Sequence, residues 1–370
     1  MVLEKEKITT FLDDLKGNQE RELIQPESTT LDKLNAVRDQ FFKEFYNKKI
    51  STRIKIYIKK NYETVKKRLN ELTNNLEYDQ DDLKNFIFSN CNLDLDLEGP
   101  ILGVYSGYLL DKLNLDFFYI NGLNNKFNYL FLCSKNCKNL IIENFEGFDV
   151  GAYISTSGLL TYLNNKGRNI GIAVGSEGND EFTFNSNPYR KINNVFYINN
   201  IGDGIGCDVA DDGNASFVAF INNKGHYISE SVGTNGNIDT LFAVKNSGHR
   251  LVNSLTKYGK INNIVLKDNN GDDILDDLCA DQGQINNAYL INNEHLSFIN
   301  SEKVKNCYAY NGNPIEHQNF NFTNNNVLKK YQNFLSEHNL NPLIKLADNP
   351  DQCTGEDFAK YLVKISEEIR

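Results

Sequence analysis

Glycines at 202, 225, 248 and 271 repeat every 23 residues, and further glycines at 213, 236 and 259 follow the first three by eleven. A period of this length marks a chain built of stacked units, none of which can bury its apolar residues alone. In register on the first glycine, the fourth position reads Ile205, Ile228, Leu251 and Ile274, and the eighth Val209, Val232, Leu255 and Leu278. Later positions read Val218, Leu241, Ile264 and, shifted by one, Ala288, followed by Phe220, Ala243, Leu266 and Leu290. These columns predict two apolar strands per coil.

The register extends upstream to Gly167 and Gly147, so six copies are recognisable. Asn165, Asn200, Asn223, Asn246 and Asn269 stand two residues before a first glycine, with Asn293 near the next expected start. Stacked amides can hydrogen-bond along such a column while holding the turn backbone, so an asparagine ladder is expected. One interval is longer, because 24 residues separate Gly178 from Gly202 where later copies take 12. The extra segment, 178–189, is expected to leave the stack as a loop. It carries Asp180, Glu181, Phe182, Phe184 and Tyr189 as binding candidates, since insertions on one face of a solenoid often line its binding surface; tolerated loop growth is the alternative.

The glycine and asparagine spacing resembles the parallel β-helix, or β-solenoid, class. The expected fold is mainly β: a solenoid of about 23 residues per coil over 96–315, between helical segments at 1–95 and 316–370. Apolar residues at helical spacing, such as Leu31, Leu34, Val37 and Phe41, support the first segment, and Phe358, Leu362 and Ile365 the second. Both are candidates to cap the stack against edge pairing. From about Ile101 onward the texture is of short apolar runs and turns, with no convincing long helix.

The order of helical segment, solenoid and helical segment is also similar to that of Suf-type iron–sulfur cluster assembly scaffolds. That resemblance implies a Cys and His pair near the end of the solenoid, where Cys307, His295 and His317 stand.

Formal charge is −10, from 39 basic and 49 acidic residues, which argues against general affinity for nucleic acid or anionic lipid. A local exception lies between Lys43 and Arg68, where ten Lys or Arg face only Glu44 and Glu63. Lys59, Lys60, Lys66 and Lys67 there could contact nucleic acid or an acidic partner, with Tyr46, Tyr57 and Tyr62 available to stack; a solvated helix face reads the same way. The N-terminus lacks the apolar run of a signal peptide, and no stretch of 18 apolar residues occurs, so a cytoplasmic protein without a membrane segment is expected. Seven scattered cysteines suit buried free thiols better than a disulfide framework.

The second position of each copy stacks Arg168, Asp203, His226, His249 and Asp272. His226 and His249 on adjacent rungs are the candidates for a metal or general-base site, although solvated turn residues give the same pattern, and no metal or cofactor is assigned. Asp268–Asp273 has some likeness to a calcium loop but lacks its spaced Glu. No nucleotide, hydrolase or zinc-protease motif is present. The expected function is therefore a non-catalytic scaffold or binding protein that presents a surface to a macromolecular partner, a protein as first choice, with nucleic acid possible through 43–68. A glycan-acting β-helix enzyme and the Suf-type scaffold are the alternatives.

Overall fold

The computed structural model describes residues 29–47, 62–95, 98–176, 191–275, 279, 281–294, 296, 303–310 and 326–369. Its centre is a parallel β-solenoid of about seven turns. Long strands stacked in parallel build a nine-stranded sheet: β1 (Phe117–Asn121), β2 (Asn139–Glu143), β4 (Leu159–Leu163), β6 (Lys191–Ile198), β8 (Asn214–Ile221), β9 (Asn237–Val244), β11 (Lys260–Lys267), β13 (Gln284–Ile291) and β14 (Val304–Tyr310). Short strands lie on another side of the coil. β3 (Glu146–Phe148), β5 (Lys166–Arg168) and β7 (Ile201–Asp203) form one sheet, and β10 (Ser247–His249) and β12 (Asn270–Asp272) another.

Pairing follows the repeat register. Ile198 pairs with Ile221, and Ile221 with Val244, each at the 23-residue step. Leu163 pairs with Ile198 across 35 residues, so the twelve extra residues do fall between these coils. The earliest coils are shorter, since Glu143 pairs with Leu163 across 20 residues, and their long strands have five residues instead of eight.

The expectation of two apolar strands per coil needs correction. The fourth- and eighth-position columns, such as Ile205 with Val209 and Ile228 with Val232, are buried inside, but they lie on an arc and not a strand. On that arc every second residue is left-handed: Gly204, Gly206, Asp208 and Ala210 in one coil, Tyr227, Ser229, Ser231 and Gly233 in the next. The N–H groups of these residues point alternately to the following and the preceding coil. Tyr227 donates to His249 O, Ser229 to Ile205 O, Ser231 to Asn253 O and Gly233 to Val209 O. The arc thus satisfies its backbone without strand geometry, and side chains four residues apart reach the core together.

Six buried asparagines line the corner before the short strands. The Nδ2 of Asn223 donates to Asn246 Oδ1 and to Tyr197 O, while the N–H and Nδ2 of Asn200 both donate to Asn223 Oδ1. The same set of bonds runs from Asn165 to Asn293. Further inside, Tyr162, Tyr197 and Phe220 stack with ring centres 5.0 and 4.7 Å apart, and the tyrosine hydroxyls donate to the carbonyls of Gly151 and Gly171 on the arc.

The N-terminal helices are α1 (Thr30–Asn47), α2 (Tyr62–Leu72), α3 (Gln80–Ser89) and α4 (Glu98–Leu113). Asp79 caps α3 with a reciprocal bond from its own N–H to Asp82, the capping-box arrangement. The reading of strand texture from Ile101 is overturned by α4, which is buried on nearly every side. An all-round apolar helix has no stripe to betray it. Gly99, Gly103 and Gly107 let α4 lie directly on the first arc, where a side chain would strike Tyr129 or the carbonyl of Leu132. This end of the stack is capped as expected.

The C-terminal helices α5 (Val327–Glu337), α6 (Asn341–Asp348) and α7 (Glu356–Glu368) do something else. They lie along the outer face of the nine-stranded sheet. Outward residues of successive strands, Phe196, Phe217, Phe242, Val265 and Tyr289, form a second core with Tyr331, Phe334, Leu343 and Leu362. The later half of the long strands is therefore apolar on both faces, one for the solenoid interior and one for this helical layer, while Asn237, Asp239, Lys260 and Gln284 stay exposed near their starts.

Candidate functional site

With the later half of the long strands covered, the short-strand side is a regular open surface among the described residues. Each short strand reads X-Gly-X. The glycines at 147, 167, 202, 225 and 248 have φ between +145° and +156°, a conformation essentially reserved for glycine. An added Cβ at Gly225 would fall on the carbonyl oxygen of Gly202. The inversion turns both flanking side chains outward, so two rows run along the stack with a glycine gutter between them.

Register places Lys126, Glu146, Lys166, Ile201, Lys224, Ser247 and Asn270 in one row. The other holds Phe148, Arg168, Asp203, His226, His249 and Asp272. At about 4.8 Å per rung the strip is roughly 30 Å long. Phe148 is 50% exposed and Ile201 48%, in the part of the strip where Lys166, Arg168 and Lys224 also lie. Further along come the two histidines, with ring centres 6.1 Å apart and an edge-on arrangement. His226 N–H donates to Asp203 Oδ1, and His249 Nε2 stands 3.9 Å from Asp273 Oδ2.

A groove of about 580 Å³ follows one edge of this strip. One wall carries Asn164, Asn199, Asn222, Lys224 and Lys245, and the other is the chain from Ala347 to Thr354. The wall asparagines hold the helical layer: Asn164 donates to Cys353 O, Asn199 to Pro350 O and Asn222 to Ala347 O, while Lys245 pairs with Asp348 at 2.6 Å.

At the end of the groove sits a residue that the sequence reading passed over. Glu143 is fully buried on β2, and its carboxylate accepts hydrogen bonds from the Tyr119 hydroxyl, the Thr354 hydroxyl and the Gly355 N–H that opens α7. The amides of Asn144 and Asn164 also reach it. A carboxylate is favoured at a helix N-terminus, so Glu143 latches the layer to the sheet. The available signal was its column, which continues Leu163, Ile198, Ile221 and Val244. A charge among such neighbours requires buried partners.

Of the earlier candidates, Asp180, Glu181, Phe182, Phe184, Tyr189, Lys59 and Lys60 lie outside the described residues, as do His295 and His317. Lys66 and Lys67 are on α2, where the neighbouring Arg68 is bound to Glu44 and Glu71. Tyr62 is buried, with its hydroxyl on Cys133 O and Lys135 over its ring, and is not free to stack on a base. All seven cysteines are free and buried, and burial pushes the Cys307 thiol up to about 12. Asp268, in the calcium-like segment, is held by Lys267 and the Asn292 amide.

Stack, lateral helical layer and X-Gly-X strip together define a parallel β-solenoid with a long, mixed polar and apolar face open along its short strands. Comparison with protein-family models, with curated proteins and with solved structures finds no match to this chain. No described helix is long and apolar enough to cross a membrane.

Proposed function

We propose that the protein is a non-catalytic, cytoplasmic solenoid scaffold whose X-Gly-X strip is the contact surface for a macromolecular partner, a protein in the first instance. One observation carries this reading: the chain covers the apolar outer face of its long sheet with its own helices, yet leaves a flat strip bearing half-exposed Phe148 and Ile201 beside charged side chains. Large apolar groups amid polar ones, on a rigid surface, are what protein contacts use. The free thiols suit a reducing compartment.

The test is a paired affinity purification from native lysate, read by quantitative mass spectrometry, of the wild-type chain and a Phe148→Asp, Ile201→Asp variant. Both residues are exposed, so the variant is expected to keep its melting temperature and lose the co-purifying protein. A wild-type chain that returns alone, or one whose companions are equally abundant with the variant, would sink the reading.

A further inference from the structure

We propose that Asn235 is a self-modifying site, at which the side-chain amide cyclises with the Gly236 nitrogen and reopens as isoaspartate or aspartate, loosening the coil that holds it. The reaction needs only water and is independent of any partner on the X-Gly-X strip.

Such a cyclisation asks three things of an Asn-Gly pair: no Cβ on the attacking residue, a main-chain N–H not committed to a hydrogen bond, and freedom for the two peptide planes to turn. Among the described residues the pair occurs at Asn121, Asn235 and Asn270. Asn121 is locked. Its Oδ1 accepts from the Leu123 N–H and the Asn144 amide, its Nδ2 donates to the Tyr119 hydroxyl, and the Gly122 N–H donates to Glu143 O at 2.7 Å. Asn270 lies in β12, where it pairs with Ser247 and Gly271 pairs with Gly248, so both peptide planes are held extended.

Asn235 differs on each count. It is exposed in a bend between the arc and the start of β9. The Gly236 N–H donates to no described residue. Among the described residues the Asn235 side chain is tied by a single hydrogen bond, from Nδ2 to Asp211 Oδ1 at 3.2 Å.

Loss of the Gly236 amide proton to water lets its nitrogen attack Asn235 Cγ. The new N–Cγ bond forms as the Cγ–Nδ2 bond breaks, and Nδ2 takes up a proton and leaves as ammonia. Water then adds to one of the two carbonyls of the ring. Addition at Cγ restores the original main chain with an aspartate, and addition at the main-chain carbonyl carbon leaves isoaspartate, with the chain running through Cγ.

Both products strain the coil. Isoaspartate lengthens the main chain by one carbon where the stack has no slack, since an added Cβ on Gly236 would come within 2.1 Å of Ala210 O and 2.2 Å of Gly213 O. The bonds from Asn237 N–H to Gly213 O and from Lys260 N–H to Gly236 O, both 2.9 Å, join this stretch to the coils on either side. Aspartate instead sets a second carboxylate against Asp211, where the amide now donates.

The experiment is incubation of the folded full chain at mildly alkaline pH and physiological temperature, with peptide mapping by mass spectrometry and isoaspartate identified by fragmentation. Asn235 is expected to convert at least about tenfold faster than Asn121 or Asn270 in the folded chain, and the three at similar rates in guanidinium. The melting temperature of the wild type should fall as conversion proceeds. Asn235→Gln, whose longer side chain would have to close a six-membered ring, should keep its melting temperature over the same period. Conversion of Asn121 or Asn270 as fast as Asn235 in the folded chain would overturn the proposal. So would an Asn235 that stays intact while the unfolded chain reacts, or an equal loss of melting temperature in Asn235→Gln.

Discussion

A methyl group added at Gly225 would fall on a backbone oxygen of the coil before it, and the same is true at Gly167, Gly202 and Gly248. At these positions the residue type follows from contact between backbones and not from a turn preference. Asp111 shows the converse, a side chain whose surroundings are incomplete. Its Oδ1 accepts from the Ser134 hydroxyl and from the N–H groups of Lys135 and Asn136, while its buried Oδ2 has no partner. Burial raises its pKa above the ordinary carboxyl value, against those hydrogen bonds and the charge of nearby Lys66. A carboxyl that holds its proton more tightly in the folded state stabilises most below the unfolded pKa of about 3.9, and that contribution declines as pH rises through the folded value. Asp111→Asn keeps the accepting oxygen and removes the titration. Its melting temperature relative to the wild type is expected to rise between about pH 4 and about pH 7. A difference that stays constant across that range would refute the assignment.

Among the elements, the helical layer is tied to the stack through Glu143 at the start of α7. Glu143→Ala leaves the Thr354 hydroxyl and the Gly355 N–H facing an empty acceptor position, with an expected cost of about 3 kcal/mol. Hydrogen exchange should accelerate through Glu356–Glu368 well before it does in β8–β11, and Glu143→Gln should restore part of the protection. Uniform acceleration over the whole chain would mean that the carboxylate is not a local latch. Such partners were not legible in the sequence, because Glu143 and Thr354 are 211 residues apart. The stack itself was legible, since successive coils from Gly147 onward restate the glycine and aliphatic positions, with the asparagine from Asn165 on. The arc escaped notice because residues four apart, such as Ile228 and Val232, carry no mark of the left-handed residues between them. The buried helix α4 escaped for lack of a polar face, and the histidine pair was found because the register alone places it.

At the scale of the whole molecule, the outward row Phe196, Ala219, Phe242, Val265 and Tyr289, with Phe217 beside it, is covered by the helical layer. Removal of residues 326–370 would expose this row, together with Ile198, Ile221, Val244 and Ile291, as one contiguous apolar face. The shortened chain is expected to bind a hydrophobic dye and to form soluble aggregates by light scattering, while the full chain does neither. A truncated chain that stays monomeric and dye-silent would show that the layer is dispensable.

The bonds between layer and stack carry one more consequence. Asn164, Asn199 and Asn222 stand on successive rungs, and the carbonyls they meet belong to Cys353, Pro350 and Ala347, three residues apart each time. The C-terminal segment therefore works as a ruler whose graduations match the rungs. A stack lengthened here by one 23-residue unit would outrun that ruler unless the tail grew by about three residues as well, so the number of coils and the length of the tail are set together.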